Sequence, residues 1–232
     1  MKKVASAGRP VAPEETSRSE RKHQAIVEAA KELFLKGGYL GTNMDEIAAI
    51  SEVSKQTVYK HFASKEALFV EIVNSMTNTA GDTVHNQIPE LEEGGDVARY
   101  LADYATRQLT VVLTPPIMQL RRLVIGEVGR FSELGKVLYE RGPERAINML
   151  AALFERLAGR GVLAIDDAKV AASHFNWLVM SEPLNRIMLL GDEAIPKAGE
   201  LRRHAKDAVR VFLAAYGQEP ARRPTPPQRR RR

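Results

Sequence analysis

From residue 19 to residue 217 the apolar side chains recur three and four positions apart, and no stretch alternates between turn signals as a strand requires. The expectation is an all-α fold. Each such helix hides only one stripe and must pack on others; 232 residues suffice for one large domain or two small ones. The first predicted helix opens near Ser19, carries Ile26, Ala29, Ala30, Leu33 and Phe34 on one face, and ends before Gly37-Gly38. Short helices should follow Thr42, whose side chain can cap, and Ser54, with Ser64 capping a fourth.

Residues 82–95, containing Pro89 and Gly94-Gly95, read as a loop. Longer helices come next: 96–113, stopped by Pro115-Pro116, then 116–129 and a short segment at 134–141. Pro143 suits the first position of a further helix that Gly159 and Gly161 end, and helices at 167–190 and 197–216 complete the chain, the former expected to kink or split at Pro183. Outside these, residues 1–18 read as a flexible basic arm and 218–232 as a disordered Pro/Arg-rich tail.

Charge follows the same division. The formal sum of +5 is made of +3 over residues 1–65, −3 over 66–218 and +5 over 219–232. Basic ends around a mildly acidic middle point to an anionic partner, nucleic acid before membrane. There is no cysteine, so disulfides, thiolate metal sites and cysteine nucleophiles are excluded. The five histidines lack metal-ligand spacing, and no phosphate loop, nucleophile elbow or dinucleotide fingerprint occurs. No catalytic residue, metal or cofactor is therefore expected. With no apolar run near the ~18 to 20 residues that span a bilayer, a cytoplasmic protein without membrane contact is expected.

The chemistry concentrates in residues 42–62, TNMDEIAAISEVSKQTVYKHF: a short helix, a tight turn and a second short helix. Ile47, Val53, Val58 and Phe62 are spaced to pack on the first helix, with Ala48 small where the pair crosses. The outer face of the second short helix then holds Lys55, Gln56, Thr57, Tyr59, Lys60 and His61, donors and an aromatic without a carboxylate, which suits a groove walled by phosphates.

From Ser19 to Phe69, and above all in SEVSKQTVYKHFASKEALF, the chain closely resembles the N-terminal domain of TetR-family transcriptional regulators. LRRLVIGEVGRFSELGKVLYERGPERA is similar to the C-terminal domain of the AefR-like branch. The resemblance implies a three-helix helix-turn-helix DNA-binding domain at residues 19–66 and a larger helical ligand-binding and dimerisation domain at 67–217. It implies that Ser54, Lys55, Gln56 and Thr57 reach base edges, Gln56 pairing with an adenine, while Tyr59, Lys60 and His61 meet phosphates or a thymine methyl. Thr42 and Lys65 would hold phosphates at the starts of the second and fourth helices. The family usually has glycine in the turn where this chain has Glu52, so here the turn must avoid a left-handed residue or strain one.

The expected partners are a double-stranded operator DNA, a second copy of the chain and an unknown small-molecule effector. Two recognition helices must enter major grooves about 34 to 36 Å apart, which requires a dimer. The resemblance puts its interface on the last two long helices, where Leu201, Ala205, Ala208, Val209, Phe212 and Leu213 form a stripe. Tyr104, Gln108, Arg122, Glu127, His174 and Trp177 are the candidates for lining an effector pocket, though most such residues are core or interface in a helical domain. A repressor released by its effector is the leading reading. A transcriptional activator, and a small-molecule-binding or enzymatic protein with a vestigial helix-turn-helix, remain as alternatives.

Overall fold

A computed structural model describes residues 13–85, 91–92 and 94–218. Among them lie ten α-helices and no strand: α1 (Pro13–Gly41), α2 (Met44–Ile50), α3 (Lys55–His61), α4 (Lys65–His85), α5 (Val97–Val112), α6 (Pro115–Glu127), α7 (Ser132–Tyr139), α8 (Arg145–Gly159), α9 (Ala168–Leu190) and α10 (Ala198–Tyr216).

The chain folds into two compact units. The first runs to Met76 and takes in Gln119–Val137; the second holds Thr77–Met118 and the chain from Leu138 onward. The division falls inside α4, α6 and α7 rather than at residue 67, because the cap at Ser64 marks where a helix starts and a helix of 21 residues outlasts the unit it starts in.

In the first unit the α1 stripe buries Ile26, Ala30 and Phe34, against which Ile47 of α2, Val58 of α3 and Leu68, Phe69 and Ile72 of α4 are also fully buried. An aromatic cluster forms its far side: Phe34 and Phe69 lie 4.9 Å apart, Tyr39 and Phe69 5.2 Å, and Tyr39 and Phe131 4.9 Å between ring centroids. The second unit packs α5 on α10 and α9 on α8 and α10. Its centre is the triangle Phe154, Phe175 and Phe212, with centroids 5.0 to 5.6 Å apart. Each fully buried phenylalanine contributes on the order of 2 kcal/mol by burial alone. One polar pair interrupts this core, where the Gln108 amide donates to Asn176 Oδ1 at 2.8 Å.

Several local expectations change. Helix α1 begins at Pro13, not Ser19, so residues 13–18 are helical; a proline in the first turn costs no hydrogen bond. Residues 1–12 lie outside the described part. The π turn Glu140–Glu144 joins α7 to α8 and contains Pro143, whose missing N–H is tolerated where the ladder shifts register. Pro183 is buried within α9 and does not split it. Asp167 caps α9, accepting from the Lys169 and Val170 N–H groups.

The α10 stripe is also reassigned. Leu201, Ala205, Ala208, Val209 and Phe212 belong to the core of the second unit, with Leu213 packed against it, so they are not available as an interface. The exposed large apolar residues of these helices are Val170, Trp177, Leu178, Leu189 and Leu190 on α9 and Val211 on α10. At the end of α10 the Gln218 N–H donates to Val162 O, and residues 219–232 of the expected tail lie outside the described part.

Candidate nucleic-acid interface

Helix α2 is started by Asn43, whose side chain accepts from the Glu46 N–H at 2.8 Å. Thr42 does not cap: its hydroxyl donates to Gly38 O at 2.9 Å and the residue is 2% exposed. Asn43 with Glu46 three residues on is itself a capping pattern, so the sequence carried the signal one position later. Gly38 interrupts α1 near its end, its φ of 73° and ψ of 174° kinking the chain.

The turn between α2 and α3 is tied by the Ser51 hydroxyl and N–H, both donating to Ile47 O, and by Val53 N–H donating to Ala48 O. Glu52 carries it with φ 54°, the one non-glycine at positive φ among the described residues. The turn thus strains a left-handed residue rather than avoiding one, at a cost of about 1 kcal/mol or more.

Ser54 caps α3 by accepting from Thr57 N–H at 3.1 Å, and its Oγ lies 2.9 Å from the Thr57 hydroxyl. Within α3 only Val58 is buried, with Phe62 buried at the C-terminal cap. Those two inward positions turn Lys55, Gln56, Tyr59 and Lys60 outward, Tyr59 being 46% exposed, with Thr57 and His61 half-buried beside them. Lys55 is held by Asp45 of α2 at 2.7 Å, an exposed pair that keeps the ammonium above its usual pKa. His61 packs on His23 of α1, 5.8 Å between centroids. Burial, and then the charges of His23, Lys60 and Lys22, lower its pKa.

Lys65 stands apart from this face. Its ammonium donates to Tyr39 O at 2.7 Å and Thr42 O at 2.8 Å, and lies 4.3 Å from the centre of the Tyr39 ring. It ties the start of α4 to the link between α1 and α2. The structure therefore gathers seven of the nine expected residues on and beside α3 and sets Thr42 and Lys65 behind them as supports. Tyr39, Asn43, Asp45 and His23 join the arrangement although none was among the expected DNA contacts.

The six pocket candidates fall in different surroundings among the described residues. Tyr104 lines one of about 440 Å³ in the second unit, with His85, Tyr100 and residues of α8. Gln108 is a core residue bonded to Asn176. His174, bonded to Tyr216 through its Nδ1 at 2.6 Å, and Trp177 border a shallow groove between α9 and α10. Arg122 and Glu127 belong to the first unit. Helical spacing alone could not separate these faces.

Comparison with known proteins follows the same two parts. Residues 26–72 match the family model described as bacterial regulatory proteins, tetR family, and residues 99–218 match the AefR-like transcriptional repressor C-terminal domain. A transcriptional regulator of that family from Mesorhizobium loti is 38% identical, with a TM-score of 0.81 over 87% of this chain and 99% of its own. The flavonoid-responsive regulator FrrA is 30% identical, with a TM-score of 0.71 over 87% of this chain and all of its own. The regulator QacR of Staphylococcus aureus is 53% identical over 49 residues, which are 21% of this chain and 26% of QacR. Against the curated relatives compared, the chain thus matches from about a quarter to just over half of their length.

Proposed function

Because this chain belongs to the TetR family of DNA-binding transcriptional regulators, we propose that it works as a homodimeric repressor released from a palindromic operator by a small-molecule effector. The observation that carries the reading is the outward face of α3. It offers Lys55, Gln56, Thr57, Tyr59 and Lys60 around a helix anchored inward at Val58 and Phe62, with no carboxylate on the helix itself. Gln56 has the amide geometry for a bidentate pair with adenine, Lys60 and Tyr59 suit phosphates, and Ser54 and Thr57 trade their mutual contact for a base or phosphate. Lys55 must leave Asp45 to do the same. His61 serves at the edge, where a phosphate would favour its protonated form against the burial and basic neighbours that lower its pKa. Thr42 and Lys65 act through position: they hold the chain that leads into α2.

Dimerisation follows from the groove spacing of about 34 to 36 Å, and the exposed residues Trp177, Leu178 and Val211 supply an apolar surface on α9 and α10 for a second copy. The sign of regulation is carried by the AefR-like repressor match, and responsiveness to a small molecule is supported by the FrrA neighbour, described as responding to flavonoids. Release then requires only that the effector bind a conformer with the recognition helices wrongly spaced more tightly than the operator-competent one.

The test is a fluorescence-anisotropy titration against the chain's own upstream intergenic DNA and a scrambled duplex at two salt concentrations. Specific binding should be about a thousandfold tighter or more. Tyr59→Ala and Lys60→Ala should each weaken it at least tenfold in an intact dimer. Equal affinity of wild type and both variants would refute the role of α3, and a reporter gene that falls silent on deletion of the protein would make it an activator.

A further inference from the structure

The second unit contains a cavity apart from the outward face of α3. It lies between α5 and α8, closed at one edge by His85 at the end of α4 and by Leu91. Its volume of about 440 Å³ falls within the range of sites for drug-sized molecules. The body is apolar: Leu150, Leu153 and Leu157 stand one α8 turn apart and are buried.

Two polar features break that surface. Tyr104 lines the cavity and is 3% exposed, and its buried hydroxyl has no hydrogen-bond partner among the described residues. Such a group is rare in a native interior and is satisfied when a ligand brings the missing partner. Burial holds this hydroxyl well above the usual tyrosine range, so it stays protonated and able to donate. The second feature is the charge of the rim. Arg156 and Arg160 line the cavity and, among the described residues, no carboxylate side chain does. Arg160 is already committed, donating to Leu91 O and Glu92 O at 2.8 Å each, which holds the edge of the cavity in place. Arg156 lies one turn before it, exposed, and forms no ion pair among the described residues.

We propose that this cavity binds an amphipathic organic anion, its apolar body between α5 and α8, a hydrogen-bond acceptor on the Tyr104 hydroxyl and its acidic group on Arg156. A neutral apolar molecule would leave Arg156 unused, and a cation would meet two guanidinium groups. The wider claim that this ligand is the effector rests on the reading of the chain as a regulator; the binding claim does not.

The experiment uses the full chain and two fluorescent probes of matched shape, 1-anilinonaphthalene-8-sulfonate and the uncharged N-phenyl-1-naphthylamine. The anionic probe should bind saturably, one per chain, and at least tenfold tighter than the neutral one. Arg156→Gln should remove that preference by weakening the anion about tenfold while changing the neutral probe less than twofold. Met149→Trp, a change at a partly exposed rim residue that folding tolerates, should weaken both. Equal affinities for the two probes, an Arg156→Gln variant that keeps the preference, or binding untouched by Met149→Trp would each overturn the proposal. Operator titration of the same preparation is read separately, so loss of DNA binding alone counts against the regulator reading and not against the cavity.

Discussion

Replacing Lys65 by methionine keeps the aliphatic stem and removes only the ammonium. That ammonium makes two hydrogen bonds to backbone carbonyls, at 2.7 and 2.8 Å, and one contact with the Tyr39 ring at 4.3 Å. Charged hydrogen bonds contribute about 1.5 to 3 kcal/mol each, and partial exposure argues for the lower figure because water can reach the freed carbonyls. Adding about 0.5 kcal/mol for the cation over the ring and subtracting the side-chain entropy regained gives a loss of about 3 kcal/mol. Urea denaturation followed by circular dichroism measures it as a fall in midpoint at constant slope. A salt titration of operator binding supplies the second readout. A support should leave the dependence on salt unchanged, whereas a phosphate ligand, as Lys60 is proposed to be, lowers the slope by about one when removed. Destabilisation below 1 kcal/mol together with a reduced salt slope would refute the argument and make Lys65 a direct DNA contact.

Other consequences are independent of this one. Glu52→Gly should raise stability by about 0.5 to 1 kcal/mol, since relief of the left-handed strain outweighs the entropy glycine adds to the unfolded chain; a destabilised variant would show the turn unstrained. Gln108→Leu or Asn176→Leu alone should cost about 1 to 3 kcal/mol by orphaning the partner, and the double variant should recover most of it, a coupling that additive losses would disprove. His85 is neutral in the folded state, its pKa pushed down to about 4 chiefly by burial and then by Arg145. Its folded pKa lies below the unfolded 6.5, so its contribution is full above pH 6.5 and is lost as pH falls toward 4, about 2 kcal/mol once partial exposure is discounted. His85→Phe should flatten the stability profile across that window, and an unchanged profile would place the acid sensitivity elsewhere. Trp177→Arg with Val211→Arg should convert a dimer to a monomer in sedimentation equilibrium while leaving the helical content intact; an unaltered mass would move the interface off this face.

The fold class and the recognition helix were legible in the chain because both are written in local periods. Val58 and Phe62 four residues apart decide which way α3 faces, and every outward residue then follows from 100° steps around one axis. Caps were legible to within a residue: Ser54, Ser64 and Asp167 perform the roles their types suggest. Thr42 failed because the nearby Gly38 carbonyl competed for its hydroxyl, a contact created by the turn and invisible in the spacing.

What one sequence determines by itself is therefore the set of helices, their inward faces and the identity of the side chains that α3 presents, since these depend on interactions within a few residues. The tertiary structure alone decided the rest. A stripe such as Leu201 to Phe212 reads identically whether it meets α5 or a second copy, because burial depends on area and not on whose surface covers it. Lys65 looks like any basic residue until the carbonyls of Tyr39 and Thr42, more than twenty positions earlier, are folded beneath it. Tyr104 and Arg156 become neighbours of one space only when the fold brings residues of α5 and α8 to the same cavity.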